Sequence, residues 1–530
     1  MRSHARWWVL AAMVVSVSAC TTNLASRNGD TSDSLPTSVE QGEGARPREG
    51  NGTGALPASL RQQVQTLRGG LEDRGFEVAQ GDWNLFTIED CKYARASIGN
   101  CVGNNPAAPY IIPTVPLWPD EFVDENMEGL LGPTRDGNSW TYRLDEREAL
   151  VVFGQLPPPG AYFGIVTYLF SREGTIDTTD EVYRQTETDP FMRSILFMAS
   201  PNPSRVLVFS SVGDTINDVV IERQAGSAFG EQLAFIITPD AALARELTEQ
   251  LVRAGVAERD EIFVEPVSPQ LARLGLDEEA DDLMTLIRYA QPEDKAAGDR
   301  WREQLPLTVL RVRDTNRDRA EEPYPLPVRE ERKARSELEL KDEVENLTKA
   351  VKQQWGQPDA PDAQFESLLL KVDLIGEHCL KRPMNCLGDN SDADYQISPT
   401  VSLDQGEVIA VVGTLGTATD NATYVSLAPN WIPALQGVAN VSGKDLKGSA
   451  SEFSGNVDDT DKLYVQYFAR DCGELSNCLE ITEEMVPRGD ALKVVQRNYV
   501  VPGTTRGPDP NLVVNPRLIV LDGNARPRGR

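Results

Sequence analysis

The eleven residues NCVGNNPAAPY at 100–110 return as NCLGDNSDADY at 385–395. Aligned without gaps, they share Asn100/Asn385, Cys101/Cys386, Gly103/Gly388, Asn105/Asn390, Ala108/Ala393 and Tyr110/Tyr395, and Ile112/Ile397 extends the match. Each copy is preceded by a further cysteine, Cys91 or Cys379. Each is followed by an apolar run containing Val-Val and a glycine, EALVVFGQL (148–156) and GEVIAVVGTL (406–415). Aromatic and β-branched runs come next, AYFGIVTYLF (161–170) and NATYVSLAPNW (421–431). An ordered series of matches marks a duplication, and runs of this composition and length read as strands. Such a chain is constrained to fold as two related β-rich modules. From Cys101 to Gly154 is 53 residues, whereas from Cys386 to Gly413 is 27, so the copies have diverged by insertion.

The middle of the chain has a different pattern. QLAFIITPDAALARELTEQLVRAGVAERDEIFVEPV (232–267) reads as strand, helix, strand. Leu233 to Ile237 are continuously apolar, Thr238 can cap a helix with Pro239 at its first position, Leu243, Leu247 and Leu251 recur every four residues, and Gly255 closes it. A β-α-β unit of this length predicts a parallel strand pair. Helical stretches are expected at 276–290 and 294–303, and LTVLRVR (307–313) as a strand. ERKARSELELKDEVENLTKAVKQQWG (331–356) reads as one long charged helix with a thin apolar stripe at Leu338, Val344, Leu347 and Val351. It could bridge the halves or pack on one of them. The expected architecture is α+β: two related, sandwich-like β-rich modules (56–225 and 359–522), with a βαβ and helical insertion (226–328) and the charged helix (329–358) between them, and a loose tail (523–530).

The N-terminus reads MRSHARWWVLAAMVVSVSAC. Arg2 and Arg6 form a basic start, and Trp7 to Ser18 an apolar run shorter than the roughly 20 residues a membrane-spanning helix needs. Val17-Ser18-Ala19-Cys20 resembles the lipobox of bacterial lipoproteins. The resemblance implies removal of residues 1–19, lipidation (diacyl, palmitate-type) of Cys20 and a place in the cell envelope. Thr21 stands where an aspartate would imply inner-membrane retention, which implies the outer membrane. Residues 20–55 contain no aromatic residue after Cys20 and are rich in Ser, Thr, Gly, Asp and Glu, so they are expected to be a disordered tether spanning about 30–35 Å. At the other end, NYVVPGTTRGPDPNLVVNP (498–516) resembles uncharacterised secreted bacterial proteins with a PGT…GPDP ending, a likeness that implies no activity.

Composition narrows the function classes. The formal net charge is −29, which disfavours nucleic acid and anionic membrane surfaces as partners. Six cysteines follow Cys20 in three close pairs, and local pairing is expected in an oxidising compartment: Cys91 with Cys101, Cys379 with Cys386, Cys472 with Cys478. His378 is the one histidine outside the signal segment, next to Cys379. No G-x-S-x-G, H-E-x-x-H or P-loop occurs, so imidazole-dependent hydrolysis is not indicated.

The repeated segment itself is first a turn, since Gly and Asn supply left-handed backbone and side-chain-to-backbone hydrogen bonds. Its second copy adds Asp389, Asp392 and Asp394, hard oxygen ligands of the type that Ca²⁺ takes, although the spacing is not that of an EF-hand. The first copy has Asn104 and Pro109 where the second has Asp389 and Asp394. A second acidic group, Asp314, Asn316 and Asp318, lacks the EF-hand glycine. No cofactor is otherwise required. Two functions are carried forward. The first is a non-catalytic, lipid-anchored binding or surface protein for a glycan, peptide or protein partner, with Tyr110, Trp118, Tyr395, Tyr424 and Trp431 as candidate contacts. The alternative is an extracytoplasmic polysaccharide hydrolase or lyase that uses a carboxylate pair, aided by Ca²⁺; a cleft with two inward carboxylates would favour it.

Overall fold

The structure is a computed structural model, and it describes residues 56–523 apart from 102, 125, 127–129, 199, 317, 372–375 and 383. The signal segment, Cys20, the tether and the tail lie outside the described residues.

The first module contains, in chain order, β1 (Phe76–Gln80), β2 (Asp82–Phe86), β3 (Tyr110–Pro116), β4 (Asn138–Ser139), β5 (Glu148–Gln155), β6 (Gly160–Glu173), β7 (Arg205–Ser211), β8 (Ile216–Asn217), β9 (Gln232–Thr238), β10 (Ile262–Pro266), β11 (Asp282–Pro292) and β12 (Leu307–Asp314). They form two sheets, β1-β12-β5-β9-β10 and β2-β3-β11-β6-β7, with β4 on β3 and β8 on β6. The second module contains β13 (Asp362–Gln364), β14 (Glu366–Ser367), β15 (Ala393–Ile397), β16 (Glu407–Thr414), β17 (Tyr424–Trp431), β18 (Gln436–Gly437), β19 (Val441–Ser442), β20 (Leu463–Ala469), β21 (Cys478–Glu480), β22 (Leu492–Tyr499) and β23 (Arg517–Asp522). Its sheets run β13-β23-β16-β20-β21 and β14-β15-β22-β17-β18, with β19 on β17. Apart from β4, each strand of the first module has a counterpart at the same sheet position and in the same chain order in the second. The one parallel pair of each module, β9/β10 and β20/β21, also corresponds.

Both modules are layered alike. Alternation sends Leu150, Val152, Phe235 and Val309 of one sheet against Phe163, Ile165, Leu283 and Ile287 of the other. The opposite side chains of the first sheet, among them Val151, Phe153 and Ile236, are covered by the helices Ala58–Glu72 and Ala241–Arg253 through Leu60, Val64, Leu67, Leu243 and Leu247. In the second module the helix Lys341–Gln354 covers the equivalent face of β16, β20 and β23 with Val344, Leu347 and Val351.

Four expectations need correction. The segment 226–328 is not an insertion between modules: β9 to β12 supply two strands to the first sheet's parallel end, one to its other half and one to the second sheet. Its helix is capped by the Asp240 side chain, which accepts from the Ala242 amide, rather than by Thr238, whose hydroxyl donates to the Glu148 carbonyl. Residues 276–290, expected to be helical, hold no helix: from Asp282 they belong to the strand β11, because Met284 and Leu286 face one side of a sheet and Leu283 and Ile287 the other. The charged helix begins at Lys341, not at 331; residues 331–337 have no regular secondary structure and are held by side-chain hydrogen bonds, and Leu338 is exposed.

Candidate functional site

The repeated motif sits where the modules meet, and each copy is pinned to the other module. The Cys101 amide donates to the Ala434 carbonyl (2.7 Å) and the Gly103 amide to Leu435 (2.9 Å). Reciprocally, the Cys386 amide donates to Val208 (2.8 Å) and the Gly388 amide to Phe209 (2.9 Å). The next position repeats the pattern with side chains. Asn104 accepts from the Gly437 amide (2.9 Å) and donates to its carbonyl (3.2 Å); Asp389 accepts from the Ser211 amide (2.7 Å) and hydroxyl (2.6 Å). Since β7 and β18 are counterparts, the two contacts are related by a pseudo-two-fold, as in a symmetric dimer. The local reasons are in the sequence. Gly103 and Gly388 are left-handed (φ 70° and 63°), and a Cβ at Gly388 would come within 2.7 Å of the Phe209 ring. Disulfides Cys91–Cys101 and Cys379–Cys386 tie each loop to the short helix before it, and Cys472–Cys478 closes the β20–β21 connection.

The aspartates read as a calcium set are distributed among protein donors instead. Asp389 holds Ser211. Asp392, fully buried, accepts from the Tyr162 hydroxyl (2.9 Å), Asn217 Nδ2 (2.9 Å) and Arg506 Nη1 (3.3 Å). Asp394, also fully buried, accepts from the Ser367 hydroxyl (3.2 Å) and faces Arg332. Burial pushes the Asp392 and Asp394 carboxyls up to about 6, against the pull of Arg506 and Arg332 respectively. Among the described residues no three His, Cys, Asp or Glu side chains converge as a metal site. Asp314 is likewise committed, to Arg319 at 3.2 Å and to the Asn316 amide.

The segment joining the modules completes this interface. Arg329 donates to Ser211 and Gly213 in the first module. Arg332 donates to the Ala393 (2.9 Å) and Asn390 (3.3 Å) carbonyls of the second motif. Glu337, 2% exposed, accepts from Thr414, Asn421 and the Val514 amide.

Most of the candidate aromatic contacts are packing residues. Trp118 is buried beneath Arg311 and Arg313. Tyr424 is buried against Tyr499, which also meets Tyr162 across the interface. Trp431 is half-buried, donates to Asp490 and carries Arg95 on its ring. Tyr110 pairs in register with Arg288, which lies over its ring, and Tyr395 with Arg497, which does the same. Of the five, Tyr395 lines a cleft.

That cleft lies between the second motif, the outer face of β15 and β22, and the helix Pro190–Leu196 of the first module. It encloses about 120 Å³ of free space and opens to solvent. Phe191, Ile195, Met198, Leu368, Leu387 and Leu435 are among its apolar walls. Its polar lining includes Asn390, Lys493 and Arg497. Lys493, Val495 and Arg497 all reach it because alternate residues of β22 share a face. That i, i+2, i+4 pattern with two cations was the available signal in the sequence, and it was missed because the flanking residues are equally strand-like. Arg497 is 5% exposed, and among the described residues its guanidinium has no hydrogen bond or ion pair; Nη1 is buried without a partner. Asn390, 3% exposed, accepts from Thr215 and the Asp392 amide through Oδ1, while its buried Nδ2 lies toward the Tyr162 hydroxyl.

No protein-family model and no curated protein matches the chain. Two solved structures resemble it at low similarity. An uncharacterized protein from Burkholderia cenocepacia is 11% identical, covers 88% of both chains and has a TM-score of 0.36. The VPA0106 protein from Vibrio parahaemolyticus is 13% identical, covers 82% of this chain and 96% of its own, and has a TM-score of 0.33.

Proposed function

We propose that the protein is a non-catalytic binding protein of the bacterial cell envelope, anchored through lipidated Cys20 and its tether, that holds an apolar ligand in the cleft between its modules. The cleft carries this reading. Its walls are mainly apolar, it is built by elements of both modules, and it lies beside the duplicated loop. Asp389 is the one acidic residue among the described residues lining it, and both its oxygens serve Ser211. A glycosidase-like alternative needs two inward carboxylates, and this cleft offers none that is uncommitted. The three disulfides and the lipobox support an extracytoplasmic location.

The test is binding of the neutral fluorophore N-phenyl-1-naphthylamine to the full chain, with recovery of the ligand afterwards. Val495→Trp, on the half-buried cleft face of β22, should fill the space and abolish the fluorescence gain. Undiminished binding by Val495→Trp, or depolymerisation of an added polysaccharide, would overturn the reading.

A further inference from the structure

We propose that the ligand of this cleft is a single-chain alkyl carboxylate, a fatty acid, with its head on Arg497 and its chain along the apolar wall; this rests on the binding reading above. The starting observation is an unexplained group. A guanidinium taken out of water with no acceptor is among the most costly groups a fold can carry, so a buried one demands a partner. Among the described residues Arg497 faces the Tyr395 ring, 5.9 Å away, the neighbouring Tyr424 and Tyr499, none of which accepts a hydrogen bond from it, and the cleft in front of it. Asn390 lines the same cleft, but its amide nitrogen is buried and turned toward the Tyr162 hydroxyl. The guanidinium at the edge of an apolar cleft, lacking an acceptor, defines a place for an anion.

The chemistry of the head follows from the donors. A planar guanidinium matches a carboxylate through two parallel hydrogen bonds. The other cation, Lys493, is already occupied: its Nζ donates to the Ser398 carbonyl (2.8 Å) and lies over the Phe191 ring. One free guanidinium balances one negative charge. The chemistry of the remainder follows from the wall. Phe191, Ile195, Met198, Leu368, Leu387 and Leu435 offer no hydrogen bonds, so a glycan or peptide backbone would lose its solvation there, whereas an alkyl chain gains. Met198 adds a side chain that adapts to a flexible chain. The net charge of −29 repels anions at long range, so affinity must come from chain burial and the close contact at Arg497 rather than from steering.

The experiment compares dodecanoate, dodecanol and dodecyl phosphate for displacement of the neutral fluorophore from the full chain, in the wild type and in Arg497→Met. Dodecanoate should bind roughly 10- to 150-fold tighter than dodecanol in the wild type, the usual worth of a charge-assisted hydrogen bond. Decanoate should bind about 15-fold more weakly than dodecanoate, since each methylene contributes about fourfold. Arg497→Met should erase the preference for the carboxylate. A melting midpoint at or above that of the wild type shows the variant to be folded, because an unpaired buried charge has been removed. Equal binding of dodecanoate and dodecanol overturns the head-group assignment while the binding reading stands. Preference for the phosphate over the carboxylate overturns the carboxylate. Failure of the fluorophore and of all three amphiphiles overturns the binding reading itself.

Discussion

Asp392→Ala should destabilise the protein in the complete absence of metal. Asp392 is fully buried and accepts from Tyr162, Asn217 and Arg506. Truncation leaves the Tyr162 hydroxyl and an Asn217 amide hydrogen without an acceptor. Arg506 keeps Asp214 and the Thr505 carbonyl, so its charge is not stranded. Breaking a buried pair costs about 3–5 kcal/mol, and the surviving partners of Arg506 place this case near the lower figure, about 3 kcal/mol. The described body spans residues 56–523. At about 2.1 cal/mol/K per residue its unfolding entropy is about 1 kcal/mol/K, so the midpoint should fall by about 3 °C if it melts as one unit. If one module melts separately the fall approaches 6 °C in that transition. Calorimetry in EDTA measures this. A cycle with Tyr162→Phe should show coupling of at least about 0.5 kcal/mol, because both substitutions remove the same contact. An unchanged midpoint in EDTA, with a calcium-dependent rise lost in the variant, would refute the interface role and restore Asp392 as a metal ligand.

Stability should also depend on pH in an unusual sense. Burial pushes Asp218 and Glu265 up to about 7 and Asp392 and Asp394 up to about 6. In the unfolded chain such groups titrate near 4. Between about pH 4 and 7 the native state therefore holds more protons, and stability falls as pH rises through that window. The melting midpoint should be higher at pH 5 than at pH 7.5; a flat or rising profile over that range would contradict the burial of these groups. At the other loop, Gly437→Ala would place a Cβ 2.7 Å from Pro106 Cδ and 2.9 Å from the Asn104 carbonyl oxygen. A loss of about 1–3 kcal/mol is expected, read as a lower denaturation midpoint, against near-neutrality if the loop does not dock there.

The duplication was legible because it is written in cysteines, glycines and strand-forming runs, and the structure extends it to eleven paired strands. The partner of each loop was not. Asn104 and Asp389 look like turn or ligand residues, and nothing local reveals that each meets the β7 or β18 counterpart of the other module. β11 was misread because Leu283, Met284, Leu286 and Ile287 satisfy helical spacing, while the actual burial is on both faces of a strand. The segment 331–337 was misread because Arg332 and Glu337 resemble solvated helix charges; Arg332 is half-buried, Glu337 is buried, and both are hydrogen-bonded. The site was hidden for the same reason. Arg497 is informative through the acceptor it lacks, and a sequence does not display missing partners.

The pseudo-two-fold raises a sharper question: why should one module have a cleft and its twin none? The β15/β22 face of the cleft presents Ile397 and Val495, paired in register. Their counterparts are Ile112 and Leu286 on β3 and β11, and these are buried in one cluster with Trp140, Leu130 and Leu131. All three covering residues belong to 117–147, the connection between β3 and β5; the equivalent connection between β15 and β16 is only 398–406. The insertion visible as unequal spacing in the sequence therefore plugs the first module's copy of the site, and Arg288, the counterpart of Arg497, is left caged by Tyr110 and Tyr168. Trp140 is the largest part of the plug, its indole donating to the Gly132 carbonyl at 2.8 Å. Trp140→Ala should cost about 3–5 kcal/mol, or about 3–5 °C on the same entropy. It should also raise the fluorophore stoichiometry from one toward two per chain, as the vacated apolar space accepts a ligand. The full loss of stability with stoichiometry fixed at one would mean that the first module collapses around the gap. A negligible loss would mean that the insertion does not plug the face at all, and the asymmetry of the two halves would then need another cause.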